Sequence, residues 1–145
     1  MTSKVYIGLG SNMEPRTAFI GRALAAMAMR TGAVAVRCSA PVQSAPDGFV
    51  SDNTFVNAVA ELTFRRATPW TVDDALALLD VLQGIERSIS QVPHRNADGS
   101  YRDREIDLDI LLIDDLAVAH PRLTVPHPRM AERPFVTVPL AELKG

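Results

Sequence analysis

The stretch "EIDLDILLIDD", residues 105–115, decides how the chain is read. Ile106, Leu108, Ile110, Leu111, Leu112 and Ile113 make an apolar strand, which Asp107 and Asp109 interrupt. Side chains alternate across a strand, so Ile106, Leu108, Ile110 and Leu112 share a face assigned to the core. Asp107 and Asp109 share the other face, roughly 7 Å apart along it. A buried unpaired carboxylate is costly and two close ones repel, so the acid face is expected to line a cleft. Two carboxylates on a rigid strand suit magnesium, which completes its shell with water and phosphate oxygens. The residues alone equally allow a solvated acidic face salt-bridged to Arg104. Asp114 and Asp115 read as turn residues.

Upstream, "KVYIGLG" reads as a first strand ended by its glycines. A helix follows from Pro15 to a stop at Gly32, with Ile20, Leu24, Met27 and Ala28 as its apolar stripe. "AVAVRCSAPVQS" (33–44) reads as a second strand, "APDGFVSDN" as a loop and "TFVNAVAELTF" (54–64) as a third strand. A long helix spans residues 68–90, with Thr71 and Asp74 as a capping box and Val72, Leu76, Leu79, Leu82 and Ile89 as the buried stripe. "QVPHRNADGSYRDR" is polar and reads as an exposed loop. After the opening strand come short strands and Pro-marked turns. The order β-α-β-β-α-β with a C-terminal addition predicts one α+β domain over 1–145, a ferredoxin-like sandwich of antiparallel sheet and helices.

The chain has 145 residues, net charge −2, and is 47% hydrophobic and 22% charged, as expected of an ordinary globular domain. That charge draws neither nucleic acid nor a membrane surface, and no apolar run reaches transmembrane length. A lone cysteine, Cys38, excludes an intrachain disulfide and a Cys-rich zinc site, and suits a reducing cytoplasm.

Arg104 precedes the acid pair, and Arg122, His127, Arg129 and Arg133 follow it in "HPRLTVPHPRMAERPF". Arginine forks and a histidine donor beside a cation site would complement a polyphosphate. Each arginine can equally be a solvated surface residue. "GLGSN" lacks a phosphate-loop pattern and reads as a tight strand exit. Phe55 and Phe135 could sandwich a flat heterocycle whose edge meets the Asn57 amide. Most phenylalanines are core residues, so the residues by themselves favour two core rings and a strand-edge amide.

"RLTVPHPRMAERPF" and "REIDLDILLID", with "YIGLGSN" and "FVNAVAEL", resemble in order the signatures of the 6-hydroxymethyl-7,8-dihydropterin pyrophosphokinase family of folate biosynthesis. The resemblance implies transfer of diphosphate from ATP to the pterin hydroxymethyl group, releasing AMP. It implies two magnesium ions on Asp107 and Asp109, with Arg104 beside them in the catalytic set. It implies ATP contacts at Gln83, Glu86, Arg104, Ile110, Arg122, Thr124, His127 and Arg133. It implies pterin contacts at Ser44, Asp47, Phe55, Asn57, Tyr101 and Phe135. Other folate-pathway enzymes become candidate partners. The chain departs from the family at Ser44, Ala45 and Asp47, and in the loop after the long helix, where "SQVP" stands in place of an arginine-rich run. Two rival readings use the same acids: a ferredoxin-like module that binds metal and nucleotide without catalysis, and a metal-dependent phosphohydrolase. Neither needs Phe55, Asn57 and Phe135.

Overall fold

The computed structural model describes residues 1–13, 15–45, 54–90 and 105–144. Chain order is β1 (Thr2–Ser11), α1 (Arg16–Arg30), β2 (Ala35–Cys38), β3 (Val42–Ser44), β4 (Phe55–Arg65), α2 (Val72–Ile89), β5 (Asp107–Ile113), β6 (Val118–His120), β7 (Leu123–Val125), a single 3-10 turn (Met130–Glu132) and α3 (Pro134–Lys144). The main sheet is antiparallel in the order β2-β4-β1-β5, with β3 also paired to β4. This is the ferredoxin-like α+β arrangement, with the expected second strand broken in two. The break lies at Ser39, whose Oγ accepts the Val59 N–H at 2.9 Å and whose own N–H donates to the Val59 carbonyl. Pro41, two residues on, has no N–H to continue the ladder.

Alternation divides the sheet cleanly. Val5, Ile7 and Leu9 of β1, Val56, Ala60 and Leu62 of β4, Leu108 and Ile110 of β5, and Ile106 just before it face α1 and α2. Tyr6, Val59 and Leu111 face α3, meeting Val136, Leu140 and Leu143. β4 is buried on both faces along most of its length.

The helix stripes are rotated from their expected positions. α2 buries Ala75, Leu78, Leu79, Leu82, Ile85 and Ile89, while Val72 is 39% exposed and Leu76 is half-buried. α1 buries Ile20, Ala23 and Met27, and Ala28 is exposed. A period of 3.6 marks a stripe, but the angle at which two helices meet the sheet and each other sets its centre. The capping box is present: Thr71 Oγ1 accepts the Asp74 N–H at 3.1 Å and Asp74 Oδ2 accepts the Thr71 N–H at 2.9 Å.

Alternation also fails at one point. β1 pairs Ile7 with Ile110 but Tyr6 with Leu112, so Leu111 is an extra residue at a β-bulge. Leu112 therefore packs toward α3 rather than sharing the core face of Ile110, and Ile113 returns to the helix side.

Candidate active site

The floor of the site is set by strand register. Val42, Asn57, Gly10 and Asp107 stand in one row across β3, β4, β1 and β5; Val59, Gly8 and Asp109 form the next. Neighbouring strands lie about 4.8 Å apart, so Asn57 and Asp107 are separated by roughly 10 Å. Between them only glycine intervenes. A Cβ on Gly10 would lie 3.3 Å from Asn57 Oδ1 and 3.5 Å from Phe55 Cδ1; one on Gly8 would lie 3.4 Å from Leu111 Cδ2. Among the described glycines only Gly32 has a positive φ, so Gly8 and Gly10 matter for the volume they lack. The expected exit turn at "GLGSN" is thus a continuation of β1 to Ser11.

Phe55 and Phe135 wall this first cleft, with Ser44, Arg133 and the two aspartates around it. Asn57 is 7% exposed and donates from Nδ2 to the Val42 carbonyl at 3.1 Å and to Ser44 Oγ at 2.8 Å. Both its donors are thereby used inside the protein, leaving Oδ1 as the acceptor beside bare Gly10. Arg133 stands over the Phe135 ring at 5.7 Å.

Phe135 is placed by its helix, α3, which is anchored at its far end. Arg37 Nη2 donates to the Leu143 carbonyl at 2.7 Å and to Glu61 Oε2 at 3.1 Å. Burial pushes the Glu61 carboxyl up, but donors from Arg37, Tyr6 and Lys4 outweigh it and hold the pKa below the usual range. The same burial and the Glu61 contact push the Tyr6 hydroxyl to about 12.

A second cleft opens along the outer edge of β5, between α2 and the β6–β7 hairpin. Gln83 and Glu86 line it from α2, Leu108 and Ile110 from β5, and Arg122, Thr124 and His127 from the hairpin and the residues after it. Glu86 accepts the Leu108 N–H at 2.8 Å, tying α2 to the residue between the two aspartates. Arg122 Nη2 donates to Asp80 Oδ1 at 2.5 Å and to Gln83 Oε1 at 3.2 Å. The His127 N–H donates to the carbonyl of the bulged Leu111 at 3.0 Å, so the bulge also seats the histidine. His127 Nδ1 accepts the Arg129 N–H at 3.3 Å, which puts the proton of the neutral ring on Nε2. Burial, then the Arg133 charge and lastly that of Arg129, lower the His127 pKa, while Asp107 opposes them.

Asp107 and Asp109 line both clefts. Both are half-buried, as an acid pair facing a cleft requires. No group of three or more His, Cys, Asp or Glu placed to hold a metal ion occurs among the described residues. The described residues build no closed cage, and a pair of carboxylates with open positions fits magnesium, which keeps water and phosphate ligands.

Ser44, Phe55, Asn57, Phe135 and Arg133 gather in the first cleft, and Gln83, Glu86, Ile110, Arg122, Thr124 and His127 in the second. Arg133, grouped by resemblance with the nucleotide contacts, lines the first cleft beside Phe135 and the two aspartates. Ile110 is 2% exposed and belongs to the helix-side core, so it borders its cleft as floor. Asp47, Tyr101 and Arg104 lie outside the described residues. Reading the sequence missed Gly8, Gly10 and Asp80. The glycines did carry a signal, since they alternate with the apolar Ile7 and Leu9.

Residues 6–145 match the family described as 7,8-dihydro-6-hydroxymethylpterin-pyrophosphokinase (HPPK). The chain belongs to this family. Among its relatives, the 2-amino-4-hydroxy-6-hydroxymethyldihydropteridine pyrophosphokinase of Pseudomonas aeruginosa is 40% identical over 144 residues, 99% of this chain and 82% of the relative. The enzyme of the same name from Porphyromonas gingivalis is 36% identical over 140 residues, covering 96% and 89%. That from Bacillus subtilis is 32% identical over 143 residues, covering 99% and 79%. Membership accounts for nearly the whole chain, both clefts included.

Proposed function

We propose that this chain transfers diphosphate from ATP to the hydroxymethyl group of 6-hydroxymethyl-7,8-dihydropterin, releasing AMP, in folate biosynthesis. The observation that carries the reading is that one aspartate pair borders two clefts of different chemistry. One cleft is aromatic and amide-edged; the other carries arginine and a histidine donor. A reaction that joins a flat heterocycle to a polyphosphate needs that junction.

Each residue has a role the geometry supports. Phe55 and Phe135 stack the pterin over the bare floor of Gly8 and Gly10. Asn57 Oδ1 accepts from the N–H edge of the ring, and its two internal bonds hold the amide in that orientation. The span of roughly 10 Å from Asn57 to Asp107 suits a fused bicycle bearing one hydroxymethyl arm. In the other cleft, Arg122 and the His127 Nε2–H donate to phosphate oxygens. Arg133 adds positive charge on the pterin side of the junction. Asp107 and Asp109 would hold two magnesium ions, which when bound neutralise and template the phosphates.

The hydroxymethyl oxygen bonds to the β-phosphorus as the bond from that phosphorus to the bridging oxygen of the α-phosphate breaks, and AMP leaves. Such transfer needs positioning and charge neutralisation more than covalent help from the protein. The hydroxyl proton departs on the Asp107 and Asp109 side. Incubating the protein with ATP, magnesium and the pterin is expected to release AMP with formation of the pterin diphosphate. No AMP beyond a pterin-free control, or pterin-independent hydrolysis of ATP, would overturn the reading.

A further inference from the structure

We propose that Asp80 is a positioning residue: it aims the Arg122 guanidinium into the cleft between α2 and the β6–β7 hairpin. The inference rests on the reading of that cleft as the ATP site.

Arg122 sits at the tip of the hairpin, its side chain 45% exposed, where a long arginine would sample many rotamers. Two acceptors on α2, Asp80 and Gln83, reach it three residues apart and therefore from neighbouring positions on one helix face. Both bonds are made to the same nitrogen, Nη2. The two Nη1 protons and the Nε proton are left as donors. The plane of the guanidinium is fixed while an edge stays open to a planar or tetrahedral oxyanion. Gln83 and Arg122 line the cleft and Asp80 does not. Asp80 thus stands behind Arg122 rather than in the wall of the cleft. An exposed ion pair adds little to folding stability, and the Asp80 side chain is 62% exposed. What the pair changes is where the cation points.

The carboxylate charge has a second effect, since it repels any bound anion, and the test must separate the two. Asp80→Asn and Asp80→Ala both remove the charge, but only alanine removes the acceptor. Equilibrium binding of a non-hydrolysable ATP analogue with magnesium is measured for wild type, both variants, and both again in an Arg122→Ala background. Asp80→Ala is expected to bind roughly two- to tenfold more weakly than Asp80→Asn, the range of a single hydrogen bond to an uncharged acceptor. That difference is expected to vanish once Arg122 is alanine, which a merely structural role for Asp80 would not produce. Equal affinities for the two variants, or a difference that survives in the Arg122→Ala background, would refute the role of Asp80 while leaving the cleft assignment standing. A wild-type protein that binds no nucleotide would refute both. Pterin-dependent AMP release by the wild type reports on the proposed reaction independently.

Discussion

Replacing Gly10 with alanine places one methyl group on the floor of the aromatic cleft, in the row between Asn57 and Asp107. Its backbone has no positive φ, so the fold has no conformational need for glycine here. In the unfolded chain alanine has less freedom to lose, which favours folding by about 0.4–1 kcal/mol. Against this, the new Cβ sits 3.3 Å from Asn57 Oδ1, a contact relieved only by a small shift of the amide. These effects oppose each other, and stability is expected to stay within about 1 kcal/mol of wild type. The ligand fares worse. The methyl lifts a stacked ring off Phe55 and away from the Asn57 acceptor. Leaving one buried hydrogen bond unmade costs about 1–3 kcal/mol, or roughly fivefold to 150-fold in affinity. The assay is AMP release against pterin concentration at saturating ATP, paired with urea unfolding. The pterin KM should rise by that factor while the urea midpoint and ATP-analogue affinity hold. Gly8→Ala, whose Cβ would meet the flexible end of Leu111 at 3.4 Å, adds a methyl to the same floor and should raise the pterin KM as well. A Gly10→Ala enzyme with wild-type pterin KM and intact fold would show that the ring does not lie on this floor. A loss of stability above about 2 kcal/mol would show that the glycine serves the fold instead.

Asp107→Asn and Asp109→Asn should each lower turnover at least about a hundredfold with the far-ultraviolet spectrum and urea midpoint unchanged, since a bound cation supplies several kcal/mol of charge stabilisation; wild-type turnover in either would remove the metal role. His127 has a lowered pKa in the fold, burial being the main cause, so the folded state favours the neutral ring while the unfolded chain protonates near 6.5. Its contribution is complete above about pH 6.5 and is lost as pH falls toward the folded pKa, so the stability advantage of wild type over His127→Gln should shrink between about pH 7.5 and 5; a constant gap in urea midpoints contradicts this. Leu82 is fully buried between α2 and the sheet, and Leu82→Ala should cost about 2–5 kcal/mol by urea unfolding; a smaller loss would mean the core collapses onto the cavity.

Period-2 and period-3.6 patterns located the strands and helices because each such element must bury one face. They placed Asp107 and Asp109 opposite Ile106, Leu108 and Ile110, as the structure has them. They could not place Leu112, because a bulge at Leu111 depends on how β1 and β5 pair. They could not centre the stripes of α1 and α2, because Ala23, Ala75 and Leu78 are buried only by the angle at which the helices meet. Nor could they show that Arg122 stands beside Asp80, which is a contact between elements distant in the chain.

By itself the sequence determined the α+β order and a strand with one apolar and one acidic face. Its signature segments also carried the resemblance to the pyrophosphokinase family. These are properties of near neighbours along the chain, and alternation or spacing exposes them. Only the tertiary structure decided that the acid face is a boundary between two clefts. Cross-strand register sets Asn57, Gly10 and Asp107 in one row, and packing brings α2 and the hairpin to the other side of β5. A glycine in a strand is silent until the strands beside it are known; here its missing side chain is the space the site is made of.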